Sequence, residues 1–175
     1  MIKIINIILI NITVILILNC PLYADNLNQG WGSLKYNKTY LRTGPSKANK
    51  VIWVYKRRGL PIKILRQKGN WIQILLPRNQ KGWISSSQLS KKKTALVYDS
   101  TSEIDKALKN KKNLAVKDPS GKPIAYIHNG VIVKLINCDE IICEIELSIK
   151  KEKYFFKNTY RLKGYFEKRY LWGAN

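Results

Sequence analysis

The sequence predicts an all-β protein that consists of a cleaved signal peptide followed by two copies of one small unit. Three observations predict it. The first 24 residues have the layout of an export signal, and the chain after them is made mostly of short strand-like runs between turn residues. The second half of the chain also repeats the pattern of the first half, as internal duplications do.

The opening segment, residues 1–24, is typical of a secretory signal peptide. One early lysine precedes an apolar run over residues 4–18, and a proline and the sequence LYA follow, so we expect cleavage after Ala24. The run is 15 residues long and contains three polar residues, whereas a membrane-spanning helix needs about 20 cleaner apolar residues. An uncleaved anchor is the alternative. A lipoprotein attached through Cys20 is disfavoured because a large polar asparagine precedes it. The expected location is the periplasm or the medium.

The chain after the signal peptide is strongly basic. The full sequence has 32 Lys and Arg against 11 Asp and Glu, and residues 1–24 contain one lysine and no acid, so the remaining charge is +20. Such a charge favours anionic surfaces, namely cell-wall polymers, lipid head groups or nucleic acid. The alternative explanation is genome composition, since the chain is also rich in Asn, Ile and Tyr.

Runs rich in Ile, Val, Leu, Tyr and Trp predict the strands of the first unit: GSLKYN, TYLRT, VIWVY, LPIKILRQ, NWIQILL and KGWIS. KGNW and NQKG are the predicted turns between the last three runs, because Gly and Asn tolerate positive φ. Helical periodicity appears over residues 100–112, where Ile104 and Leu108 share a face. Its lysine-rich flanks favour a loop insertion over a core helix.

The repeat is seen when RRGLPIKILRQKGNWIQIL is aligned with HNGVIVKLINCDEIICEIE at an offset of 71 residues, and KGWISSSQL with KGYFEKRYL at an offset of 82. Upstream, LRTGPS is aligned with AVKDPS, so that Arg42 corresponds to Val116. The change in offset predicts an 11-residue insertion near residues 148–158. The predicted domains are 25–92 and 93–175. Further aligned pairs are Gly59 with Gly130, Ile74 with Ile145, Trp71 with Ile142, Gly82 with Gly164, and Trp83 with Tyr165.

Two cysteines remain after the signal peptide, Cys138 and Cys143, and they bracket the sequence DEII where the first copy has the turn KGNW. In an exported chain this spacing predicts a disulfide, because residues that face each other across a hairpin are about 4.5–5.5 Å apart at Cα. A metal site is the alternative, but no second cysteine pair or nearby histidine completes four ligands. We therefore expect no metal and no cofactor.

The tryptophans are expected to build the core. Each ring removes about 150–250 Å² from water, which matters in a unit too small to bury much other surface. We expect Trp71 and Trp83 to close the barrel. In the run VIWVY, alternation allows either Trp53 or Val54 to face inward, and we expect Val54 inward with Trp53 and Tyr55 outward.

The blocks YLRTGPS, VIWVYKRRGLPIKIL, GNWIQI, GWISSSQLS and RYLWG resemble the bacterial SH3-like domain, in the exported tandem form common in alphaproteobacteria. The resemblance extends from about Trp31 to Gly173 and is most specific in the first copy. It implies two tandem SH3-like small β-barrels of five to six strands each. It implies no reaction, since a fold does not define a function.

Few residues suggest catalysis. His128 is the single histidine, and a Cys–His hydrolase would need a cysteine thiolate beside it. The acids at positions 139, 140, 144 and 146 surround one hairpin, which is more typical of solvated charge than of a glycosidase or calcium site. The sequence contains no phosphate loop and no HExxH motif. We predict that the protein is not an enzyme.

The remaining expectation is a binding surface in which aromatic residues alternate with cations, which suits carboxylate-ended peptides, sugar faces or anionic polymers. The leading hypothesis is binding of peptidoglycan (cell-wall peptide or glycan) or another anionic envelope component, with at most peripheral membrane contact. A protein–protein adaptor in the envelope is the alternative, and nucleic-acid binding is a third reading only if the chain is not exported. The candidate ligand-binding residues are Tyr40, Arg42, Trp53, Tyr55, Lys56, Arg57, Arg58 and Trp83.

Overall fold

The computed structural model describes residues 30–98, 114–153 and 156–174, with the side chains of residues 150–158 excepted. The predicted signal peptide, its cleavage site and the helical pattern of residues 100–112 lie outside the described residues. Within the described ranges no helix is long and apolar enough to cross a membrane.

The described residues form 14 strands, which confirms the predicted all-β fold. The predicted runs VIWVY and KGWIS coincide with strands, three others overlap strands by most of their length, and GSLKYN overlaps β1 by half of its length. The first seven strands are β1 Gly30–Leu34, β2 Thr39–Arg42, β3 Val51–Tyr55, β4 Pro61–Lys68, β5 Trp71–Leu75, β6 Lys81–Ser85 and β7 Leu89–Ser90. The other seven are β8 Thr94–Val97, β9 Leu114–Lys117, β10 Pro123–Ile127, β11 Ile132–Cys138, β12 Ile142–Lys153, β13 Phe156–Glu167 and β14 Leu171–Trp172.

The two halves have the same sheet topology. The strand order is β3-β2-β6-β5-β4-β1-β7 in the first sheet and β10-β9-β13-β12-β11-β8-β14 in the second, so each strand has a counterpart seven numbers later. Both sheets also carry a register shift at the same two places, in β4 and β11 and in the pairs β2–β3 and β9–β10. We interpret the sheets as two copies of one barrel, called here the first barrel (residues 30–93) and the second barrel (residues 94–98 and 114–174).

The turns follow the predicted chemistry. A two-residue turn, Gly69–Asn70, joins β4 to β5, and Gly69 has a φ of 54°. The next connection is a short 3₁₀ turn, Pro77–Asn79, in which Arg78 and Asn79 have φ of 64° and 58°. Asn is the non-glycine residue that adopts this left-handed region most readily, which explains the turn signal in NQKG.

Each barrel has an aliphatic core. The first core consists of Leu34, Leu41, Leu60, Ile62, Ile72, Ile74, Leu76, Ile84 and Leu96. The second consists of Ala95, Val97, Leu114, Val116, Ile127, Val133, Cys143, Ile145, Leu147, Phe166, Leu171 and Ala174. Aligned positions are buried alike in the two copies, as seen at Ile62 and Val133 and at Ile74 and Ile145.

The expectation that Trp71 and Trp83 close the barrel is wrong. On β5 the buried residues are Ile72 and Ile74, so Trp71, three positions before Ile74, lies on the opposite face of the strand and is half-buried. Trp83 is 6% exposed, but it is the cross-strand partner of Gln73 and not of a core residue, and it lies outside the core cluster. Both indoles therefore cover the outer face of the sheet.

The alternation expected for β3 is wrong, although Trp53 is exposed as expected. Trp53 pairs with Leu41 and Tyr55 pairs with Thr39, and both partners are buried. Directly opposed residues share a face, so Trp53 and Tyr55 lie on the core-facing side, where Tyr55 packs against the first core. Because β3 is at the edge of its sheet, Trp53 extends beyond the core and is 55% exposed.

The strand register also corrects the sequence alignment at the second strand. Gly82 lies against Leu41 and Gly164 lies against Val116, while Trp83 pairs with Arg42 and Tyr165 pairs with Lys117. The counterpart of Arg42 is therefore Lys117, one position after the Val116 that the sequence alignment placed there. The loop after this strand is shorter in the second copy. Aligning the two loops on their Pro-Ser pairs, Pro45–Ser46 and Pro119–Ser120, therefore shifts the preceding strand by one residue.

The predicted insertion near residues 148–158 falls in the hairpin of β12 and β13. These strands have 12 residues each, against five each for β5 and β6, and they pair continuously from Ile142–Glu167 to Lys153–Phe156.

A disulfide closes the preceding hairpin. Cys138 and Cys143 face each other across β11 and β12, and their sulfurs are 2.03 Å apart. The predicted disulfide is confirmed.

The barrels pack directly against each other. Leu96 of β8 belongs to the first core, and Trp172 of β14 packs against the same core. Across the interface, the Oγ1 of Thr94 donates a hydrogen bond to the carbonyl of Gly59 (2.8 Å). Within the first barrel, the Oγ of Ser33 donates to the carbonyl of Lys92 (3.1 Å), just before β8. The connection between the barrels is thus an extended apolar and hydrogen-bonded interface.

Candidate functional site

The candidate site begins where β3 ends. After Tyr55 the chain passes through three cations, Lys56–Arg58, and reverses at Gly59 into β4. Gly59 has a φ of 78°, a conformation that glycine adopts without strain. Its N–H donates to the carbonyl of Leu34 (2.8 Å), and its carbonyl accepts the Thr94 bond to the second barrel. This turn therefore places the residues after β3 at the junction of the barrels.

A cleft of about 430 Å³ opens at this junction and is called here the inter-barrel cleft. Segments of both barrels line it: the end of β3 with the chain that follows, the turn between β5 and β6, the strand β8, and the turn before β11. The lining residues are Tyr55, Arg57, Leu60, Pro77, Arg78, Gln80, Leu96, Tyr98, Asn129 and Gly130. Two of these, Tyr55 and Arg57, are candidate residues that the sequence predicted.

Tyr55 is held in place by the turn on its own barrel. Its hydroxyl donates a hydrogen bond to Oε1 of Gln80, and burial raises the pKa of the hydroxyl above its ordinary value. The group therefore remains a neutral donor at physiological pH. Gln80 is itself fixed by the backbone bond from the N–H of Leu76 to its carbonyl (2.9 Å).

Arg57 connects the two walls of the cleft. Its guanidinium donates from Nη2 to the carbonyl of Gly130 in the second barrel. Gly130 has a φ of 89°, and its N–H donates to the carbonyl of Val97 (2.7 Å), so the acceptor is held by a turn that requires glycine. A guanidinium has five N–H donors, and the Gly130 bond uses one nitrogen.

The sequence analysis missed four polar residues of the cleft. Arg78 and Gln80 belong to the stretch that was interpreted only as a turn, and Tyr98 and Asn129 lie beside segments that were interpreted as strand and repeat. Asn129 could have been found from the repeat, since it aligns with Arg58, the last residue of the cationic segment. The other three are brought to the cleft by the packing of the barrels, for which the sequence carries no local signal.

The remaining predicted residues lie elsewhere. The Nη1 of Arg42 donates to the carbonyls of Lys47 (2.9 Å) and Asn49 (2.7 Å), so its guanidinium closes the loop after β2. The ring of Trp83 lies 5.2 Å from the guanidinium carbon of Arg66 and is nearly buried, which leaves little of it for a ligand.

Four candidates stay on the surface of the first barrel. Tyr40 is half-buried with the Lys38 ammonium 5.2 Å from the centre of its ring. Trp53 is exposed beside Tyr55, with ring centroids 6.4 Å apart. Lys56 and Arg58 are exposed on either side of Arg57. The structure therefore divides the predicted site into a surface part and a part that opens into the cleft.

Charge is distributed very unevenly between the barrels. Residues 26–98 contain 16 Lys and Arg and no Asp or Glu, whereas residues 114–174 contain 11 Lys and Arg and seven Asp and Glu. The first barrel is thus a purely cationic surface, and clefts lined by one sign of charge concentrate the opposite ion. The seven acids of the second barrel partly neutralise its cations.

Two of the acids near the second hairpin, Asp139 and Glu146, have structural partners. Oδ1 of Asp139 accepts the N–H groups of Ile141 (2.7 Å) and Ile142 (2.6 Å), and these bonds lower its pKa. Glu146 lies 3.4 Å from the ammonium of Lys134. Among the described residues no group of three or more His, Cys, Asp or Glu is placed to hold a metal ion.

His128 does not form a catalytic pair with the described cysteines. Its side chain is exposed in the turn before β11, and its carbonyl accepts the N–H of Val131 (3.3 Å). Cys138 and Cys143 are joined to each other, so neither sulfur is a thiolate.

Comparison with known proteins agrees with the fold of the first barrel. Residues 35–91 match the family model of the bacterial SH3 domain, which confirms the resemblance over this part of the chain. No protein of curated function matches the sequence.

Three solved structures are similar at low identity. They are NlpC1 from Trichomonas vaginalis (13% identity, TM-score 0.33, 85% of this chain and 47% of that one), NlpC2 from the same organism (13%, 0.34, 83% and 48%) and an NlpC/P60 family protein from Bacillus cereus (14%, 0.32, 81% and 55%). The chain spans about half the length of each of these structures.

Proposed function

From the bacterial SH3 domain at residues 35–91, we propose that the protein is exported and non-catalytic and that it binds peptidoglycan or another anionic component of the cell envelope. The single observation that carries the proposal is the charge of the first barrel, 16 cations without one acid over residues 26–98. The disulfide fits an extracytoplasmic location, where such bonds persist. Cleavage after Ala24 is part of the proposal.

The binding face is the segment around the end of β3. It combines an exposed indole, Trp53, with the cations Lys56 and Arg58, and it continues into the inter-barrel cleft through Tyr55 and Arg57. An indole stacks on sugar faces or cations, and guanidinium groups bind carboxylate and phosphate oxygens. The face therefore offers contacts both to the sugar rings and to the anionic groups of a glycopeptide polymer.

The test is co-sedimentation of the purified protein with isolated sacculi at physiological ionic strength and over a salt series. We expect retention that weakens as salt screens the charges. Arg58→Ala should weaken binding about two- to five-fold, the usual size for one exposed charge contact, and Trp53→Ala should weaken it further. Arg161→Ala, which removes an exposed arginine of the second barrel, is the matched control and should bind like the wild type. No retention of the wild type removes the proposal.

A second candidate, a protein–protein adaptor in the envelope, is favoured by exposed aromatic residues of the second barrel. Tyr126 is 62% exposed and Tyr165 is 38% exposed, and they flank β9 through their pairing with Ala115 and Lys117. This function predicts saturable binding to an envelope protein with little dependence on salt, and loss of that binding in Tyr126→Ala. Competition by DNA in the sedimentation assay, together with an unprocessed cytoplasmic chain, would instead support nucleic-acid binding.

A further inference from the structure

We infer that the inter-barrel cleft binds the terminal carboxylate of a short peptide, with Arg57 as its principal ligand. The inference deepens the proposed function and rests on it in one respect, since the peptide would belong to the same envelope polymer. The two sites differ in location. The polymer as a whole contacts the exposed face around Trp53 and Arg58, whereas the carboxylate end of the peptide enters the cleft.

The charges of the cleft select an anion. Its ten lining residues include two arginines and no acid, and Arg57 is positioned by its bond to the Gly130 carbonyl. Fixing one nitrogen of the guanidinium leaves donors whose direction is set by the second barrel, as a bidentate contact to a carboxylate requires.

The uncharged lining favours a peptide over a simple anion. Leu60, Pro77 and Leu96 supply apolar surface, and the rings of Tyr55 and Tyr98 extend it. Inorganic phosphate would leave this surface uncovered, whereas the aliphatic side chains next to a peptide carboxylate would cover it. A volume of about 430 Å³ lies within the range of small-ligand sites, about 300–1,000 Å³.

The amides in the lining fit a peptide bond. The Oε1 of Gln80 accepts the Tyr55 hydroxyl, and the side-chain amide of Gln80 also has two N–H donors. Asn129 supplies a second side-chain amide from the opposite barrel. The lining therefore carries one side-chain amide from each barrel next to the arginines, and the N–H groups of Gln80 can donate to the carbonyl of a peptide bond.

The cleft is fixed before a ligand enters. The Thr94–Gly59 bond, the Arg57–Gly130 bond and the packing of Leu96 in the first core hold its walls on both sides. A site that is already formed loses little conformational entropy on binding, which is how a small ligand can be bound by few contacts.

The experiment is isothermal titration of the purified protein with N-acetyl-dialanine, with its C-terminal amide and with inorganic phosphate. We expect binding of the free acid only. Arg57→Gln should weaken it at least ten-fold, the effect of losing a charge-assisted hydrogen bond. Arg161→Gln removes the same charge at an exposed position of the second barrel, outside the cleft, and should leave the affinity within about two-fold. Arg78→Asn is a second cleft variant that suits the positive φ at this position, and it should weaken binding too.

Several results would overturn the inference: no binding of the acid, equal binding of acid and amide, equal binding of phosphate, or equal losses in Arg57→Gln and Arg161→Gln. Thermal unfolding of each variant shows whether a loss of peptide affinity comes from damage to the barrel interface. Unchanged affinity in both Arg57→Gln and Arg78→Asn, with both variants folded, also contradicts the inference. Sacculus binding without peptide binding removes this inference and leaves the proposed function. Peptide binding without sacculus binding removes the proposed function and leaves the cleft as a peptide site.

Discussion

The indole of Trp31, in the first strand, stands edge-on to the indole of Trp172, in the last, with ring centroids 4.8 Å apart and an interplanar angle of 82°. This is a favourable geometry for two aromatic rings. It joins the two ends of the described chain and connects the barrels, because Trp172 also packs against the first core. The tryptophan pair that matters most for the architecture is therefore not the Trp71 and Trp83 pair that the sequence emphasised.

Trp172→Ala should lower the free energy of unfolding by about 3 kcal/mol, because it removes a large side chain from the barrel interface. Chemical denaturation followed by circular dichroism measures it. Trp53→Ala is the matched control, since this indole is 55% exposed, and it should cost less than about 1 kcal/mol. Equal losses in the two variants would contradict the assigned interface.

Gly82→Ala and Gly164→Ala should each cost about 1–3 kcal/mol through overpacking. A Cβ at position 82 would lie 2.5 Å from Cγ of Leu41, and one at position 164 would lie 2.6 Å from Cγ1 of Val116. Gly30→Ala is the control, because its Cβ would meet no atom within 4 Å. Thermal melts of the three variants test the close strand approach. Unchanged stability of Gly82→Ala, or a loss as large in Gly30→Ala, would refute it.

Removing the disulfide should destabilise the second barrel. Cys143 is fully buried in the second core and its partner Cys138 closes the β11–β12 hairpin, so the double change Cys138→Ala with Cys143→Ala should cost about 2 kcal/mol. Denaturant titration measures the loss. Thiol titration of the native protein should detect neither cysteine, and two reactive thiols in that protein would show that the bond is absent.

The Asp139 loop should make a small contribution to stability that depends on pH. The N–H groups of Ile142 and Ile141 lower the pKa of this carboxylate, so its contribution is present at neutral pH and is lost as the pH falls below about 4 towards the lowered folded pKa. A nuclear magnetic resonance titration should give a pKa below that of an ordinary aspartate.

The control for this titration is Asp139→Asn, which should flatten the acid limb of the stability curve and lower the stability at pH 7 by the same small amount that the wild type loses in acid. Asp118 is a second internal reference, since the Ser120 hydroxyl and the Lys122 N–H lower its pKa in the loop between β9 and β10. A slope in Asp139→Asn as steep as in the wild type would show that other groups carry the acid dependence.

Strand positions, turns and the disulfide were predictable because each depends on local information. A run such as KGWIS has the β-branched and aromatic composition of a strand, and glycine or asparagine marks positions of positive φ, as at Gly59 and Gly69. The repeat was visible for the same reason: Gly59 and Gly130 have the same backbone conformation, and Ile74 and Ile145 are both completely buried.

Which side of a strand faces the core was decided by register, a non-local property. Alternation allows two choices for VIWVY, and the pairing of Trp53 with Leu41, after a bulge at Ile52, selects the one that the sequence analysis rejected. The cleft required still longer-range information. Arg57 and Asn129 are 72 positions apart. Only the packing of one barrel on the other, through Leu96 and Trp172, brings them into the same cleft.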